Sequence, residues 1–231
     1  LMFKYIIGID EVGRGPLAGP VTVAALALPQ NLKFKIKNLK LPLRDSKKLS
    51  PKQREAWFGY IKESQKSKVK SQRLYYAVAS VSPKVIDKIN ITKAANLAAT
   101  RAFQKLVNSY AIASVLTKNN VNIKVFLDGG LYLKKLQTTN YPDGKTIEDP
   151  RQSRDKLKAK TITRGDEKIP AISLASIVAK VIRDGMMREL HKKYSKYGFD
   201  QHKGYGTKQH FKMIRKYGLS PIHRKSFKLK S

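Results

Sequence analysis

The chain has 231 residues, and its 48 Lys and Arg against 16 Asp and Glu give a formal net charge of +32. The absence of cysteine excludes a disulfide scaffold, a thiolate zinc site and a cysteine nucleophile. No apolar run approaches the roughly 18 residues of a membrane span and the start carries no export signal, so we expect one cytoplasmic domain, 1–231, without a membrane segment. The charge favours a polyanionic partner, nucleic acid ahead of an anionic membrane surface.

The first third of the chain is predicted to be rich in strands. Apolar, β-branched runs predict three of them: Phe3–Asp10, Val21–Leu28 and Leu74–Val81. The first two enclose a loop rich in glycine and proline. Ser50-Pro-Lys-Gln53 is typical of a helix start and predicts a helix to about Lys66, and Ser82-Pro83 predicts a short one.

The rest of the chain is predicted to be mainly helical. Helical spacing of apolar residues predicts three helices: Thr92–Thr117, Ile172–Tyr194 and Thr207–Tyr217. Strands are expected at Val121–Leu127 and Thr161–Thr163. Between these strands, the polar stretch 137–160 is interpreted as an inserted loop. The predicted class is α/β, with strands before helices and no Rossmann regularity.

Carboxylates follow apolar strands at unexpected places. Asp10, Glu11 and Asp128 each come at the end of such a run and just before glycines, which let a ligand approach the backbone closely. Neighbours in a strand point to opposite faces, so Asp10 and Glu11 serve one site only if the strand breaks there. Asp166 follows Gly165 in a similar setting. Considered by itself, it is more simply interpreted as a solvated turn residue.

Convergence of these strand ends would create strong repulsion. Carboxylates a few ångströms apart become protonated unless cations lie among them, and Mg²⁺ or Mn²⁺ prefer such oxygen ligands. Two such ions suit phosphodiester hydrolysis by in-line displacement, so the acids and the basic surface together indicate a nuclease. Asp184 is interpreted instead as a helix-surface residue paired with Lys180 or Arg188.

Ordered motifs along nearly the whole chain resemble the type 2 ribonuclease H family, and its bacterial ribonuclease HII branch most closely. The motifs are Asp10-Glu-Val-Gly-Arg-Gly15, Asp45-Ser-Lys-Lys-Leu-Ser50, Phe126-Leu-Asp-Gly129, Gly165-Asp-Glu-Lys168 with Ala175–Asp184, Lys203-Gly-Tyr-Gly-Thr207 and Gly218–Phe227. The resemblance implies a ribonuclease H-like fold: a central mixed sheet flanked by helices, with a C-terminal helical, substrate-binding portion at about 195–231.

The resemblance also implies an activity and its residues. Asp10, Glu11, Asp128 and Asp166 would be the catalytic, metal-binding carboxylates, holding two Mg²⁺ or Mn²⁺ ions. The implied reaction is endonucleolytic hydrolysis of RNA in RNA–DNA hybrids. It includes incision on the 5′ side of a single ribonucleotide in duplex DNA, leaving 5′-phosphate and 3′-hydroxyl ends. Such an enzyme is expected to act as a monomer.

Substrate contacts are implied for five residues. In the family, the turn matching Gly13-Arg14-Gly15 reads the 2′-hydroxyl, which distinguishes RNA from DNA. The tyrosine matching Tyr205 stacks on the adjacent deoxyribose, and Lys47 is the phosphate-contacting candidate. His202, His210 and His223 are interpreted as structural or phosphate-side residues.

One departure from the family pattern and two alternatives stay open. Positions 128 and 166 are 38 apart, more than expected, and the excess falls in 137–160, interpreted as a mobile loop rather than a duplex contact through Lys145, Arg151, Arg154 and Lys156. A ribonuclease HIII-like nuclease is one alternative, although that family usually lacks the arginine found here as Arg14 and carries an extra N-terminal domain. The other is a non-catalytic nucleic-acid-binding protein of the same fold.

Overall fold

A computed structural model describes residues 4–30, 43, 45–69, 73–109, 122–133 and 159–229. Five strands and seven helices are found in these ranges: β1 (Lys4–Val12), β2 (Val21–Pro29), α1 (Pro51–Gln65), β3 (Tyr75–Val81), α2 (Pro83–Ile89), α3 (Ile91–Val107), β4 (Asn122–Asp128), β5 (Ala159–Ile162), α4 (Gly165–Lys168), α5 (Pro170–Lys193), α6 (Phe199–His202) and α7 (Lys208–Tyr217). Short 3-10 helices cover Ser46–Lys48 and Ser195–Tyr197.

The strands form one mixed sheet in the order β3-β2-β1-β4-β5. On one side of β1, the strands β2 and β3 continue the sheet with antiparallel pairing. On the other side, β4 pairs parallel to β1, and β5 pairs parallel to β4. The predicted central mixed sheet with flanking helices is therefore confirmed, and the carboxyl ends of β1, β4 and β5 point the same way.

Helices cover both faces of this sheet, which explains the unbroken apolar run of β2. Val23 and Ala25 belong to the core beneath α2 and α3, whereas Ala24 and Leu26 belong to the core beneath α1 and α5. All nine residues of β2 are buried. A strand buried on both faces needs no polar alternation.

Helix α5 crosses β1 at unusually close range. A Cβ placed on Gly8 would overlap the backbone of Ala171 and Ile172, so only glycine permits this approach. The close contact brings the second turn of α5, and Ser176 on it, next to the end of β1. The carboxyl end of the central strand β1 and the second turn of α5 therefore lie side by side.

The predicted element boundaries need two adjustments. Helix α3 ends at Val107 rather than Thr117, with Asn108 as its C-cap, and residues 110–121 lie outside the described part of the chain. Strand β5 begins at Ala159, so the last two residues of the expected 137–160 loop belong to the sheet, where they pair with β4. The rest of that insertion, with the four basic residues considered for duplex contact, also lies outside the described residues.

Helix α1 starts as its sequence predicts. Ser50 Oγ accepts from the Gln53 amide at 3.2 Å, and Gln53 Oε1 accepts from the Ser50 amide at 2.9 Å. This reciprocal capping satisfies two otherwise unpaired amides. Within the described ranges, no helix combines the length and apolar character needed to cross a bilayer.

Candidate active site

Three of the four predicted acids lie together at the carboxyl end of the central strands. Carboxylate oxygens of Asp10, Glu11 and Asp128 all lie within 4.8 Å of one another. The parallel ladder between β1 and β4 ends at the pair Ile9 and Leu127, so Asp10 and Asp128 are the next residue on each strand. Adjacent strand ends therefore deliver two of the acids to one place.

The expected break in β1 affects only one of its two ladders. Pairing with β4 stops after Ile9, but pairing with β2 continues to Val12 opposite Thr22. Asp10 and Glu11 share a site because β1 leaves the β4 edge there while it keeps its extended course. The sequence condition of a broken strand was too strict.

Burial makes this cluster electrostatically costly. Asp10 is only 4 % exposed, and desolvation followed by repulsion from Glu11 and Asp128 raises its pKa well above the usual value. Desolvation also raises the pKa of Glu11, although Arg14 opposes the shift. Buried carboxylates that repel one another are stabilised by bound cations.

One oxygen in the cluster has no protein partner. Glu11 Oε2 is buried and accepts no hydrogen bond from the residues that the structure describes, while Glu11 Oε1 pairs with Arg14 Nη1 at 3.1 Å. A buried acceptor left without a donor is rare and calls for a ligand. The donor set of carboxylate oxygens fits a hard divalent ion.

Two serines that the sequence analysis left without a role support Asp10. Ser176 on α5 hydrogen-bonds the Asp10 carboxylate, which partly offsets the rise in pKa. Its hydroxyl also lies 2.8 Å from that of Ser46, so the two hydroxyls form a buried pair. Both residues stand inside the quoted motifs, but only the fold shows that they meet, since 130 positions separate them.

Asp166 borders the cluster through Asp128. It lies on α4, is 9 % exposed, and its neighbour Gly165 donates its amide to Asp128 Oδ1 at 2.7 Å. Desolvation, then the charges of Asp128 and Asp45, raise the pKa of Asp166. Asp166 is therefore close to the predicted site, but it is not one of the three residues whose oxygens lie within 4.8 Å of one another.

Lys47, in the motif Asp45–Ser50, lies close enough to the acids to feel their charges. Asp45 accepts the Lys47 amide at 2.9 Å and so shapes the short turn that carries the side chain. Burial alone would lower the pKa of Lys47, but the carboxylates of Asp45, Asp166 and Asp10 together raise it. A cation is thus held beside the acids while its side chain remains exposed.

A buried arginine fixes the shape of the Gly13-Arg14-Gly15 turn. Arg224, 2 % exposed, donates to the carbonyls of Gly13 at 2.6 Å, Arg14 at 2.9 Å and Gly19 at 3.0 Å. Burial, and then the charge of Arg183, lower the pKa of Arg224 to about 9. No peptide bond in the described chain is cis, so each anchored carbonyl directs the following amide away from the guanidinium.

That arrangement leaves two amides available. The N–H groups of Arg14 and Gly15 share peptide planes with the carbonyls that Arg224 binds, and neither donates to an acceptor in the described part of the chain. They are therefore aimed outward, next to the side chain that pairs with Glu11.

A second buried arginine ties this loop to the C-terminal segment. Arg183 on α5 donates to the carbonyls of Pro20 at 2.9 Å, Lys203 at 3.1 Å and Ala18 at 3.2 Å. Desolvation lowers its pKa. Neither arginine received a role from the sequence, because their partners are carbonyls that any residue offers. Their presence within the quoted motifs is the only signal.

Tyr205 lies beside Gly15 of the Gly13-Arg14-Gly15 turn. Its side chain is 41 % exposed, and a Cβ on Gly15 would lie 3.9 Å from its ring. The Leu17 amide donates to the Gly204 carbonyl at 2.8 Å and fixes the two segments together. Asp184, by contrast, forms the predicted pair with Lys180 at 2.9 Å and does not join the acids.

Solved structures share the fold. The ribonuclease H2 of Pyrococcus horikoshii matches with a TM-score of 0.61 and 24 % identity, covering 96 % of this chain and 93 % of that one. Bst-RNase HIII in complex with Mn²⁺ matches with a TM-score of 0.58 and 18 % identity, covering 93 % and 63 %. The mixed sheet and its flanking helices define a protein of the ribonuclease H-like fold class.

Sequence comparison narrows the class. Residues 7–230 match the profile of the ribonuclease HII family. The ribonuclease HII of Hydrogenovibrio crunogenus is 38 % identical over 225 residues, covering 97 % of this chain and 86 % of that protein. The chain belongs to the ribonuclease HII family, and it is a hydrolase that acts on RNA–DNA hybrids. The acidic cluster indicates that it uses divalent metal ions.

Proposed function

We propose that this enzyme cleaves the RNA strand of RNA–DNA hybrids and also nicks duplex DNA on the 5′ side of a single embedded ribonucleotide. The products would carry 5′-phosphate and 3′-hydroxyl ends, and the nick would be the first step in removing the ribonucleotide from DNA. The carrying observation is the cluster of Asp10, Glu11 and Asp128 with its buried, unpartnered Glu11 oxygen.

The four acids would bind two divalent cations between them. Asp10, Glu11 and Asp128 would bind divalent ions directly, and Asp166 would complete a second position beside Asp128. When bound, two Mg²⁺ or Mn²⁺ ions supply Lewis acidity to the attacking water and the leaving oxygen. The Mn²⁺ complex of Bst-RNase HIII, a protein of the same fold, supports this choice of ions.

Recognition of the ribonucleotide is assigned to the turn beside the acids. The outward amides of Arg14 and Gly15 are donors for the 2′-hydroxyl, which a deoxyribose lacks. Tyr205 would stack on the neighbouring deoxyribose, where an additional hydroxyl would obstruct the ring. Lys47 would contact a phosphate, since its cation already faces the acids.

The C-terminal portion from about 195 to 231 would bind the duplex backbone. Helix α7 carries four exposed cations, Lys208, Lys212, Arg215 and Lys216. Such contacts position a duplex without reading its sequence. All of these groups come from one chain, so a monomer would be sufficient for activity.

Incubation with a duplex that bears one ribonucleotide tests the proposal. In Mg²⁺ or Mn²⁺ we expect a single nick 5′ to the ribonucleotide, with no cleavage of the all-DNA duplex. Asp10→Asn should abolish the nick and leave duplex binding nearly intact, since phosphate contacts come from the basic surface. A folded wild-type protein that binds but does not nick would contradict the proposal.

A further inference from the structure

Three buried histidines lie beneath the turn that carries Tyr205, and the proposed reaction does not use them. His210 is fully buried, and its ring stacks on that of His202 with centroids 4.2 Å apart. His223 is 2 % exposed and completes the group. Because these rings are shielded from solvent, any effect on substrate must pass through the residues they bind.

Hydrogen bonds connect two of these rings into a directed chain. The Ser220 amide lies 2.9 Å from His223 Nδ1, and an amide can only donate, so His223 carries its proton on Nε2. That nitrogen lies 3.0 Å from His210 Nε2, which must therefore accept. The proton of His210 is then on Nδ1, which donates to the Tyr205 carbonyl at 2.9 Å.

The two ends of this chain agree on its direction. A backbone amide at Ser220 and a backbone carbonyl at Tyr205 each require the same arrangement of protons on the rings between them. Burial, aided by the neighbouring His202 and His223, lowers the pKa of His210 to about 4. The rings consequently stay neutral near pH 7, and each keeps one donor and one acceptor.

Tyr205 needs such an anchor because glycines flank it. Gly204 has a φ of +86°, and Gly206 follows directly, so the backbone on both sides has wide conformational freedom. Hydrogen bonds restrain the segment: the Tyr205 amide donates to the His202 carbonyl at 2.9 Å, and the Tyr205 carbonyl accepts from the Thr207 amide at 2.9 Å. The His210 ring adds the one side-chain bond to that carbonyl among the described residues.

We propose that His210 is a positioning residue for Tyr205 and that His223 fixes the tautomer it needs. The chain from Ser220 through both rings holds the Tyr205 carbonyl, and with it the phenol ring, beside Gly15. This inference rests on the proposed function, in which Tyr205 stacks on the deoxyribose next to the ribonucleotide. The two histidines therefore contribute to substrate selection rather than to proton transfer.

Two nearly isosteric substitutions test the two nitrogen positions of the His210 ring separately. In His210→Asn the amide nitrogen takes the place of Nδ1 and keeps the donor to Tyr205. In His210→Gln the amide group reaches the place of Nε2, which keeps the contact with His223 but removes that donor. Both variants lose the ring, so we expect them to be destabilised to a similar extent, which urea unfolding measures.

The readout is a selectivity ratio. It divides kcat/KM for a duplex with one ribonucleotide by kcat/KM for an RNA–DNA hybrid, in which every neighbouring RNA sugar carries a hydroxyl that obstructs Tyr205. We expect His210→Gln to lower the ratio about tenfold, as one hydrogen bond lost would do, and Tyr205→Ala to lower it at least as far. His210→Asn should keep the ratio within about twofold.

Equal ratios in the two His210 variants would overturn the inference, because a purely structural ring would affect both alike. An unchanged ratio in Tyr205→Ala would overturn it too, since the histidines act through that residue. A wild-type protein that cleaves neither substrate would instead refute the proposed function.

The hydrogen-bond chain can be examined without substrate. Long-range ¹H–¹⁵N correlation spectra of the histidine-labelled protein report which ring nitrogen carries the proton. We expect Nδ1–H for His210 and Nε2–H for His223. Protonation of His210 at Nε2 would overturn the inference whatever the activity proves to be.

Discussion

Two buried arginines hold the loop from Gly13 to Pro20 in place through hydrogen bonds to its carbonyl oxygens. Arg183 and Arg224 are buried, and neither forms an ion pair with the residues that the structure describes. Their guanidinium groups bind carbonyl oxygens, three each, on the loop from Gly13 to Pro20 and on Lys203. A rigid, multiply donating group suits this task, whereas lysine offers a single point charge.

Arg224→Lys tests this role directly. The ammonium cannot reach three carbonyls at once, so we expect a loss of about 3 kcal/mol in the free energy of unfolding and a fall of more than about tenfold in kcat/KM. The fall should be similar for the single-ribonucleotide duplex and the hybrid, because both present the 2′-hydroxyl to the Gly13-Arg14-Gly15 turn. Urea unfolding and initial rates measure the two effects.

The matched control for Arg224→Lys is the same substitution at an exposed arginine. Arg101→Lys on α3, at an exposed arginine outside the proposed duplex contacts, should leave both stability and cleavage nearly unchanged. Native stability and full cleavage in Arg224→Lys would show that the turn holds its shape without the buried guanidinium.

At the scale of elements, the contact between β1 and α5 places Ser176 beside Asp10. The contact depends on Gly8, where the backbones of strand and helix approach too closely for any side chain. Gly59 on α1 is the opposite case, since a Cβ there would meet no atom within 4 Å. The two glycines therefore make a matched pair.

Alanine at these two positions should have opposite effects. Gly8→Ala forces α5 away from the sheet, and we expect a loss of about 3 kcal/mol or more in the free energy of unfolding. Gly59→Ala lies in an exposed helix interior and should stabilise the protein by about 0.5–1 kcal/mol. Urea unfolding measures both, and a tolerated Gly8→Ala would refute the close packing.

The buried histidines of the C-terminal elements predict how stability depends on pH. The pKa of His210 is lowered to about 4 in the folded protein, from 6.5 for an ordinary histidine. Below pH 6.5 the unfolded chain binds a proton that the folded protein refuses, so this contribution to stability is lost as the pH falls towards 4. At pH 5 the loss from this one side chain is about 2 kcal/mol.

The difference between wild type and His210→Asn isolates that contribution from the titration of other groups. We expect the free energy of unfolding of the wild type to fall more steeply than that of the variant between pH 7 and pH 5. Parallel curves for wild type and His210→Asn would show that His210 titrates normally in the folded protein.

Across the whole molecule, the sequence predicted where the acids lie but not the side-chain contacts that support them. The strand-end positions of Asp10 and Asp128 followed from apolar runs that stop at glycines, and the sheet confirmed that these ends meet. The mixed character of the sheet came from the family resemblance alone, and the order of its strands was not predicted, since strand spacing does not determine which strands become neighbours.

The supporting contacts escaped prediction for a physical reason. Arg224 contacts Gly13 across 211 positions, and Ser46 contacts Ser176 across 130. Such pairs leave no periodic trace in a sequence, and carbonyl acceptors carry no residue identity at all. The same holds for the His210–His223 chain, whose direction depends on backbone groups at both ends.

Folding brings the acids into a buried cluster that divalent cations must stabilise. Burial, and then repulsion from Glu11 and Asp128, raise the pKa of Asp10, so removing its charge lowers the electrostatic cost of folding without metal. The most direct measurement is the free energy of unfolding of wild type and Asp10→Asn, each with EDTA and with Mn²⁺. We predict that the variant is the more stable of the two in EDTA and that Mn²⁺ stabilises only the wild type. A wild type that is the more stable in EDTA, or an equal gain from Mn²⁺ in both proteins, would contradict the account.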